Sequence, residues 1–277
     1  KTIPWKGFHT MILFIVEGSK TEPRVYETIK RLYFRDEEDI ICIFGSNIYG
    51  LYNRLKKYNA DFDDIGNVAN IVDVIREMDS KNAEVLKNIK LSSDIDQVFL
   101  FFDYDFQHAF HVQEQHPEHS LEEILKEDNK RLKELLDFFN EETDMGKLYI
   151  NYPMIESLKY TKQLPDADFQ TYRTTLEECR GQFKKVAEEF SDYKAYKGIL
   201  WDNAPAEIDE IRRNWELLKQ QNVMKANYIC TLSYSMPASK EDVSQQQVFA
   251  HQINTYNKNK SIAILNSFPL FLYDYLK

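Results

Sequence analysis

Two unbroken apolar runs in the first half of the chain each end at acidic residues. Residues 11–16 read MILFIV and precede Glu17, whereas residues 98–102 read VFLFF and precede Asp103 and Asp105. Apolar residues without polar alternation are typical of strands that are covered on both faces, as in parallel sheets. Because parallel strands deliver their next side chains to one edge of the sheet, we expect the three carboxylates to converge at that edge.

The residues after the first run predict a tight turn and then a helix. Gly18 breaks the apolar run and permits a turn that a side chain would hinder. Thr21 is a suitable helix cap, and Pro23 suits the first helical turn. The following apolar residues recur at helical spacing, at Val25, Ile29 and Leu32. This part of the chain is therefore predicted to form a strand, an acidic turn and a helix.

The long segment between Glu17 and Asp103 requires further elements. Residues 40–44, IICIF, predict a second strand. Residues 48–91 are expected to form a largely helical insertion. Its apolar face would contain Val68, Ile71, Val72 and Ile75.

The pattern changes near Tyr160, and the second half is expected to be mainly helical. An apolar stripe with alternating spacings of four and three, from Tyr172 to Phe190, predicts one helix over residues 168–190. A further helix is predicted over residues 206–221, and residues 227–237 suit either a late strand or a buried connection. The final apolar stretch, residues 262–276, is too short and too polar to span a membrane, so we expect a packed terminal element. The fold class is therefore α/β, with a mainly parallel sheet flanked by helices in residues 1–160 and a mainly helical subdomain in residues 161–277.

Composition narrows the function without identifying the substrate. The chain has 277 residues, of which 43% are hydrophobic, and its three cysteines are scattered, which indicates neither a disulfide framework nor a zinc ribbon. No secretory leader or membrane span is recognisable, so we expect a cytoplasmic protein with no membrane partner. The net charge of −10 argues against broad, charge-driven binding to nucleic acid. No Walker motif is present, so ATP hydrolysis would have to come from another chain.

Three converging carboxylates suggest a divalent cation. Hard oxygen ligands suit Mg²⁺ or Mn²⁺, which retain several waters and bind through a few carboxylates together with substrate phosphates. Asp103 and Asp105 are two residues apart, so on an extended chain they point the same way across Tyr104. A structural role competes with this interpretation, because acids after strands often cap helices.

At these residues the chain resembles the Toprim domain of topoisomerases, primases and overcoming-lysogeny-defect nucleases. The sequence motif VEGSKTEP, residues 16–23, is most similar to that of stand-alone Toprim-like proteins of the RloB type, which act in bacterial anti-phage defence. The resemblance covers roughly residues 11–160. It implies a Toprim-like sheet in which Glu17, Asp103 and Asp105 surround one or two Mg²⁺ ions.

The resemblance also suggests residues that complete the site. Glu22 lies at the head of the first helix and is a candidate ligand for a second cation, or alternatively a favourable charge against the helix dipole. By analogy with Toprim-like nucleases, Glu156 is a candidate metal ligand and Lys159 a candidate catalytic residue. We therefore expect metal ligands at Glu17, Glu22, Asp103, Asp105 and Glu156, and catalytic roles for Glu17, Asp103, Asp105 and Lys159.

Four histidines occur close together shortly after Asp105. Their proximity suggests a supporting ligand or a general acid, although the polar residues around them are also typical of an exposed loop. A structural zinc site is less favoured because no cysteine lies nearby. The four are His108, His111, His116 and His119.

The sequence thus predicts a Mg²⁺-dependent Toprim nuclease that hydrolyses phosphodiester bonds in DNA or RNA. We expect it to be the effector of a defence system with a partner ATPase, and a homo-oligomer is a further possibility. The first alternative is a non-catalytic Toprim-like subunit that binds partners or senses phage components. The second is a phosphatase of the haloacid-dehalogenase type, in which Asp103 and Asp105 would be the signature; Gln107 departs from that pattern, and Glu17 would have no role.

Overall fold

A mostly parallel five-stranded sheet forms the centre of the fold. The computed structural model describes residues 10–34, 38–58, 70–90, 92–190, 198–201 and 208–276. The strands are β1 (Met11–Val16), β2 (Glu38–Ile43), β3 (Gln97–Asp103), β4 (Asn140–Glu141) and β5 (Gly146–Asn151). They lie in the order β2-β1-β3-β5-β4, and only the short β4 runs antiparallel to its neighbour. The predicted strands at residues 11–16, 40–44 and 98–102 are therefore confirmed.

Helices cover both faces of this sheet, which confirms the α/β class. Those in the described residues are α1 (Thr21–Tyr33), α2 (Ile48–Tyr58), α3 (Ile71–Met78), α4 (Ser80–Val85), α5 (Phe106–Gln115), α6 (Leu121–Phe138), α7 (Leu176–Cys179), α8 (Phe183–Phe190), α9 (Ile208–Thr231), α10 (Gln245–Asn259) and α11 (Ser267–Tyr275). Alternate residues of β1 enter two different cores: Phe14 packs with α1, α9 and α11, whereas Leu13 packs with α2, α3, α5, α6 and α10. Burial on both faces explains why the strands lack polar alternation.

The segment between β2 and β3 is largely helical where the structure describes it. α2, α3 and α4 occupy it, as the sequence predicted. Ile71, Val72 and Ile75 are buried on α3, whereas the fourth predicted residue, Val68, lies outside the described residues.

The single helix predicted over residues 168–190 is wrong. The chain instead forms a short strand, β6 (Arg173–Thr175), followed by α7 and α8. β6 pairs antiparallel with β7 (Ser261–Ala263), which lies far away in the sequence. Gly181 separates α7 from α8 with φ of +71°, a conformation that favours glycine. The apolar stripe reflected burial of three separate elements and not one continuous helix.

The end of the chain packs onto the sheet. α9 continues to Thr231, ten residues beyond the predicted end, and the residues that follow are irregular, so a late strand at 227–237 is wrong. α11 places Phe268 parallel to Phe101 of β3 at 4.2 Å between ring centroids, and Phe271 is fully buried. The packed terminal element is therefore confirmed, while the domain boundary at residue 160 remains a prediction. Among the described residues, no helix combines the length and apolar character needed to cross a membrane.

Candidate metal centre

The carboxyl ends of β1 and β3 bring Glu17 and Asp103 into direct contact. The two strands pair in parallel with Val16 opposite Phe101, and the Glu17 amide extends the ladder by donating to the Phe101 carbonyl at 3.2 Å. The Asp103 amide in turn donates to Oε2 of Glu17 at 3.0 Å. On the other side of β3, Asn151 at the end of β5 donates through Nδ2 to Oδ1 of Asp103 at 2.9 Å. The parallel register therefore assembles the centre of the site.

Glu22 folds back over the turn that follows β1. Its Oε1 accepts a hydrogen bond from the Gly18 amide at 2.9 Å, and the residue is buried. A Cβ atom at position 18 would lie 2.8 Å from this oxygen, closer than real Cβ contacts occur. Gly18 is thus required for close approach of the Glu22 carboxylate, which places Glu22 beside Glu17 at the head of α1.

Asp105 lies at the same edge but outside the strand. β3 ends at Asp103, and Asp105 caps α5 by accepting the Gln107 amide at 3.0 Å on Oδ1. Its Oδ2 accepts from Nδ2 of Asn47, in the turn after β2, at 3.2 Å. β3 ends at Asp103, but Tyr104 still donates to the Asn151 carbonyl, and the helix begins only at Phe106, after Asp105. The expectation that the two carboxylates point the same way across Tyr104 therefore remains a prediction, while Asp103 accepts from Asn151 of β5 and Asp105 from Asn47 after β2.

Glu156 approaches the cluster from a 3₁₀ turn after β5. The turn spans Ile155–Lys159, and Glu156 is buried within it. Nζ of Lys184, on α8, lies 3.7 Å from Oε1 of Glu156. Lys159, the predicted catalytic lysine, forms its ion pair with Glu188 at 3.6 Å. Lys184 therefore lies next to an acidic residue of the candidate site, a position that the sequence did not predict for it.

Burial and mutual repulsion raise the pKa values of the central carboxyl groups. Burial raises the pKa of Glu17 from 4.5 to about 8; the Asp103 amide opposes this rise, and the charges of Asp105 and Glu22 add to it. The pKa of Asp103 lies well above its usual value because of burial and then the nearby charges of Glu17 and Glu22. The carboxylates therefore share one electrostatic environment that disfavours their simultaneous ionisation.

The Glu22 carboxylate belongs to the same electrostatic environment as Glu17 and Asp103. Burial raises the pKa of Glu22, two backbone amides lower it, Glu156 raises it again and the Lys184 ammonium lowers it. Glu22 and Glu156 are thus electrostatically linked, with Lys184 as the positive charge next to both.

The carboxylates are not arranged as a ready-made chelate. Among the described residues, no group of three or more histidine, cysteine, aspartate or glutamate side chains is arranged to hold a metal ion. Glu17, Asp103, Glu22 and Asp105 each accept a hydrogen bond from a backbone or asparagine N–H instead. Mg²⁺ commonly binds through one or two carboxylates, waters and substrate phosphates, without an all-protein cage. The donor chemistry therefore fits Mg²⁺ or Mn²⁺, and binding requires side chains to exchange their present partners.

The histidine cluster divides into one anchored residue and three exposed or partly exposed ones. Nδ1 of His108 lies 2.9 Å from Oδ2 of the buried Asp128 on α6, and its ring stacks on Tyr49 at 4.3 Å. His116 and His119 are exposed in the turn between α5 and α6. The predicted general acid or supporting ligand remains a prediction, whereas the anchoring of α5 to α6 through His108 is visible in the structure.

Three residues at this site were missed from the sequence. Asn151 follows a buried strand, so the rule that singled out Asp103 would also have found it. Asn47 and Lys184 carry no comparable signal, because they lie in a turn and on a short helix whose positions depend on tertiary packing.

Comparison with known proteins gives no relative for this chain: no protein-family model matches it, and neither a curated protein nor a solved structure is significantly similar to it.

Proposed function

We propose that this protein is a Toprim-type nuclease that hydrolyses phosphodiester bonds of DNA or RNA with the help of Mg²⁺ or Mn²⁺. The observation that carries the proposal is the contact between Glu17 and Asp103 at the carboxyl ends of neighbouring parallel strands. Glu22, Asp105 and Glu156 surround that contact closely enough to act on it electrostatically. Acids at this edge of a parallel sheet stand where ligands of open α/β sheets bind.

Each carboxylate has a role in this proposal. Asp103 and Asp105 would hold one ion, and Glu22 or Glu156 would recruit a second. A bound divalent ion supplies an activated water and neutralises charge on the phosphate oxygens. Glu17 would either complete the ligands of the first ion or act as the acid or base. Its Oε1 is the atom assigned to that role, because Oε2 accepts the Asp103 amide.

The proposal extends to a biological setting through the sequence resemblance alone. Residues 16–23 support a cytoplasmic, RloB-like effector of anti-phage defence with an ATPase partner. The net charge of −10 favours such a partner or self-association, since a polyanionic substrate is repelled by the isolated chain.

A non-catalytic Toprim-like subunit is the second candidate. It is favoured by the capping role of Asp105 and by the hydrogen bonds that already satisfy the carboxylates. In that case the acids would stabilise turns and the site would bind partners without turnover.

A cleavage assay separates the two functions. The purified chain is incubated with single- and double-stranded DNA and RNA in Mg²⁺, Mn²⁺ or a chelator, alone and with the candidate ATPase. Cleavage in Mg²⁺ or Mn²⁺ that the chelator and Asp103→Asn abolish supports the nuclease. The matched control is Asp144→Asn, which removes an exposed aspartate from the turn between β4 and β5. Absence of metal-dependent cleavage under every condition would refute the nuclease.

A further inference from the structure

A short basic segment crosses the edge of the sheet at which the carboxylates converge. Residues 180–185 read RGQFKK and contain three cationic and no acidic residues, in a chain whose net charge is −10. On one side, Gln107 of α5 contacts the Cys179 carbonyl, and Arg180 follows directly. On the other side, α8 packs against the 3₁₀ turn that carries Glu156. The segment therefore links the Asp105 side of the site to the Glu156 side.

Arg180 faces a cavity that continues from the acidic site. The cavity has a volume of about 450 Å³, and Arg180 lines it together with Asp105, Asn47 and His108. The guanidinium lies over the ring of Phe110 at 4.9 Å, which orients it while leaving its N–H groups at the cavity. A planar fork of donors in this position is suited to a phosphate.

Lys184 holds the corresponding position at the opposite end of the segment. Its ammonium lies 3.7 Å from Glu156 and also acts on Glu22. Lys184 is four positions after Arg180, so their Cα atoms are at most about 14 Å apart. Gly181, with φ of +71°, makes the turn that sends the two side chains to different sides.

The present ion pairs of both residues are easily exchanged for a ligand. Arg180 lies 3.8 Å from Glu114, and Lys184 lies 3.7 Å from Glu156, both longer than a hydrogen bond. More than half of each cationic side chain is exposed, so a ligand can reach both cations, although Glu156, the partner of Lys184, is itself buried. The Arg180–Glu114 pair is exposed on both sides and contributes little to stability. By contrast, the surface pair of Lys219 with Glu216 is hydrogen-bonded at 2.6 Å.

We propose that Arg180 and Lys184 bind the phosphates on either side of the scissile phosphodiester, so that the substrate is an internal bond of a polynucleotide strand. This inference rests on the proposed nuclease function and specifies its substrate class. A small phosphate monoester occupies only the central site and engages neither cation. The two flanking contacts also supply the local positive charge that an acidic chain needs to retain a polyanion.

Binding to single strands tests this clamp. Fluorescence anisotropy is measured with labelled single-stranded hexanucleotides and dinucleotides, of DNA and of RNA, in Mg²⁺ across a salt series. Turnover is suppressed with Glu17→Gln as the common background. Removing one phosphate contact lowers the salt slope by about 0.7, which corresponds to about fivefold weaker binding of the hexanucleotide at 0.1 M salt. We expect this loss for Arg180→Gln and for Lys184→Gln, and about 25-fold for the double variant.

The controls separate the effect of a positive charge at positions 180 and 184 from the effect of removing any nearby lysine. Lys185→Gln removes the adjacent lysine on α8, which is 76% exposed and pairs with Glu189, and should leave hexanucleotide binding unchanged. Arg180→Lys and Lys184→Arg retain the charge and should retain most of the salt slope. The dinucleotide, with a single phosphodiester, should bind all variants equally.

The outcomes distinguish the two proposals. If the hexanucleotide binds but the double variant keeps the parental salt slope, or if Lys185→Gln weakens binding equally, the clamp is refuted and the nuclease proposal stands. If neither oligonucleotide binds and no metal-dependent cleavage occurs, both are refuted.

Discussion

Replacing Glu17 with glutamine should stabilise the metal-free protein at neutral and alkaline pH. The amide oxygen of glutamine is able to accept the Asp103 N–H that Oε2 accepts now, at 3.0 Å, so the change removes a charge while preserving the contact. The charge is unfavourable because burial, Asp105 and Glu22 raise the pKa of Glu17 from 4.5 to about 8. Folding therefore opposes ionisation of this carboxyl group.

The sign and size of the effect follow from linkage between protonation and folding. The pKa of Glu17 is higher in the folded state than in the unfolded state, so this group costs the protein no stability below pH 4.5. The free energy of unfolding then decreases as pH rises from 4.5 to about 8. Each pH unit in this window corresponds to about 1.4 kcal/mol, so ionisation of Glu17 lowers the free energy of unfolding by at most about 3 kcal/mol at pH 7. Water penetration and relaxation reduce this limit, and we expect about 1–2 kcal/mol.

Thermal unfolding in a chelator at pH 5, 7 and 8.5 measures this prediction. Glu17→Gln should match the wild type at pH 5 and exceed its melting temperature by about 2–6 °C at pH 7, with a larger gap at pH 8.5. Glu141→Gln, which removes an exposed glutamate from β4, should stay within about 0.5 kcal/mol of the wild type at every pH. A gap between Glu17→Gln and the wild type that does not depend on pH would refute the electrostatic reasoning.

Further substitutions test the site and its surroundings. If the protein is the proposed nuclease, Asp103→Asn should retain the fold but lower the Mg²⁺-dependent cleavage rate at least about 100-fold, because it removes a proposed metal ligand and its charge; wild-type rates would exclude this role. His108→Phe should destabilise the protein by about 2–3 kcal/mol in chemical unfolding, because it removes a partner of the buried Asp128, and Asp128→Asn in the same chain should recover part of the loss. Lys225 is fully buried, and burial holds its pKa well below 10.5 in the folded state. As pH falls below 10.5 the unfolded chain is protonated first, so the free energy of unfolding decreases. Lys225→Met should therefore gain stability relative to wild type between pH 10 and pH 7; a constant difference would contradict this. Finally, light scattering and binding titrations should show that the isolated chain binds nucleic acid weakly and gains affinity on self-association or with an ATPase partner; a monomer that binds tightly alone would contradict this.

The sequence predicts the centre of the fold well because the relevant signals are local. Residues 11–16 and 98–102 are covered on both faces by helices, and their unbroken apolar character is the direct consequence. The contact of Glu17 with Asp103 then follows from parallel pairing, since both residues end neighbouring strands. The capping role of Asp105 was not predicted, because a two-residue alternation does not reveal that the strand ends at Asp103 and that a helix begins at Phe106.

The second half was predicted less well because its order depends on distant pairing. Arg173–Thr175 form a strand only because Ser261–Ala263 lie beside them, and no local pattern records that partner. The end of α9 was missed for a different reason: Gln221, Asn222 and Asn227 are buried polar residues that interrupt the apolar stripe. Their side chains are satisfied by hydrogen bonds, Asn222 Nδ2 to the Leu218 carbonyl among them, which a pattern of polarity cannot show.

Helix geometry explains how so much negative charge is tolerated at one edge of the sheet. α1, α2 and α5 each begin shortly after a parallel strand, so their N-termini start at the edge that carries the carboxylates. Unpaired amides at those N-termini act as partial positive charges. At the start of α2, the Gly50 amide donates to Oδ1 of Asn47 at 3.0 Å, and at the start of α5 the Gln107 amide donates to Oδ1 of Asp105. The same N-termini that lower the cost of burying the acids would also attract the phosphates of the proposed substrate, and this local attraction opposes the repulsion that the overall charge of −10 exerts on a polyanion.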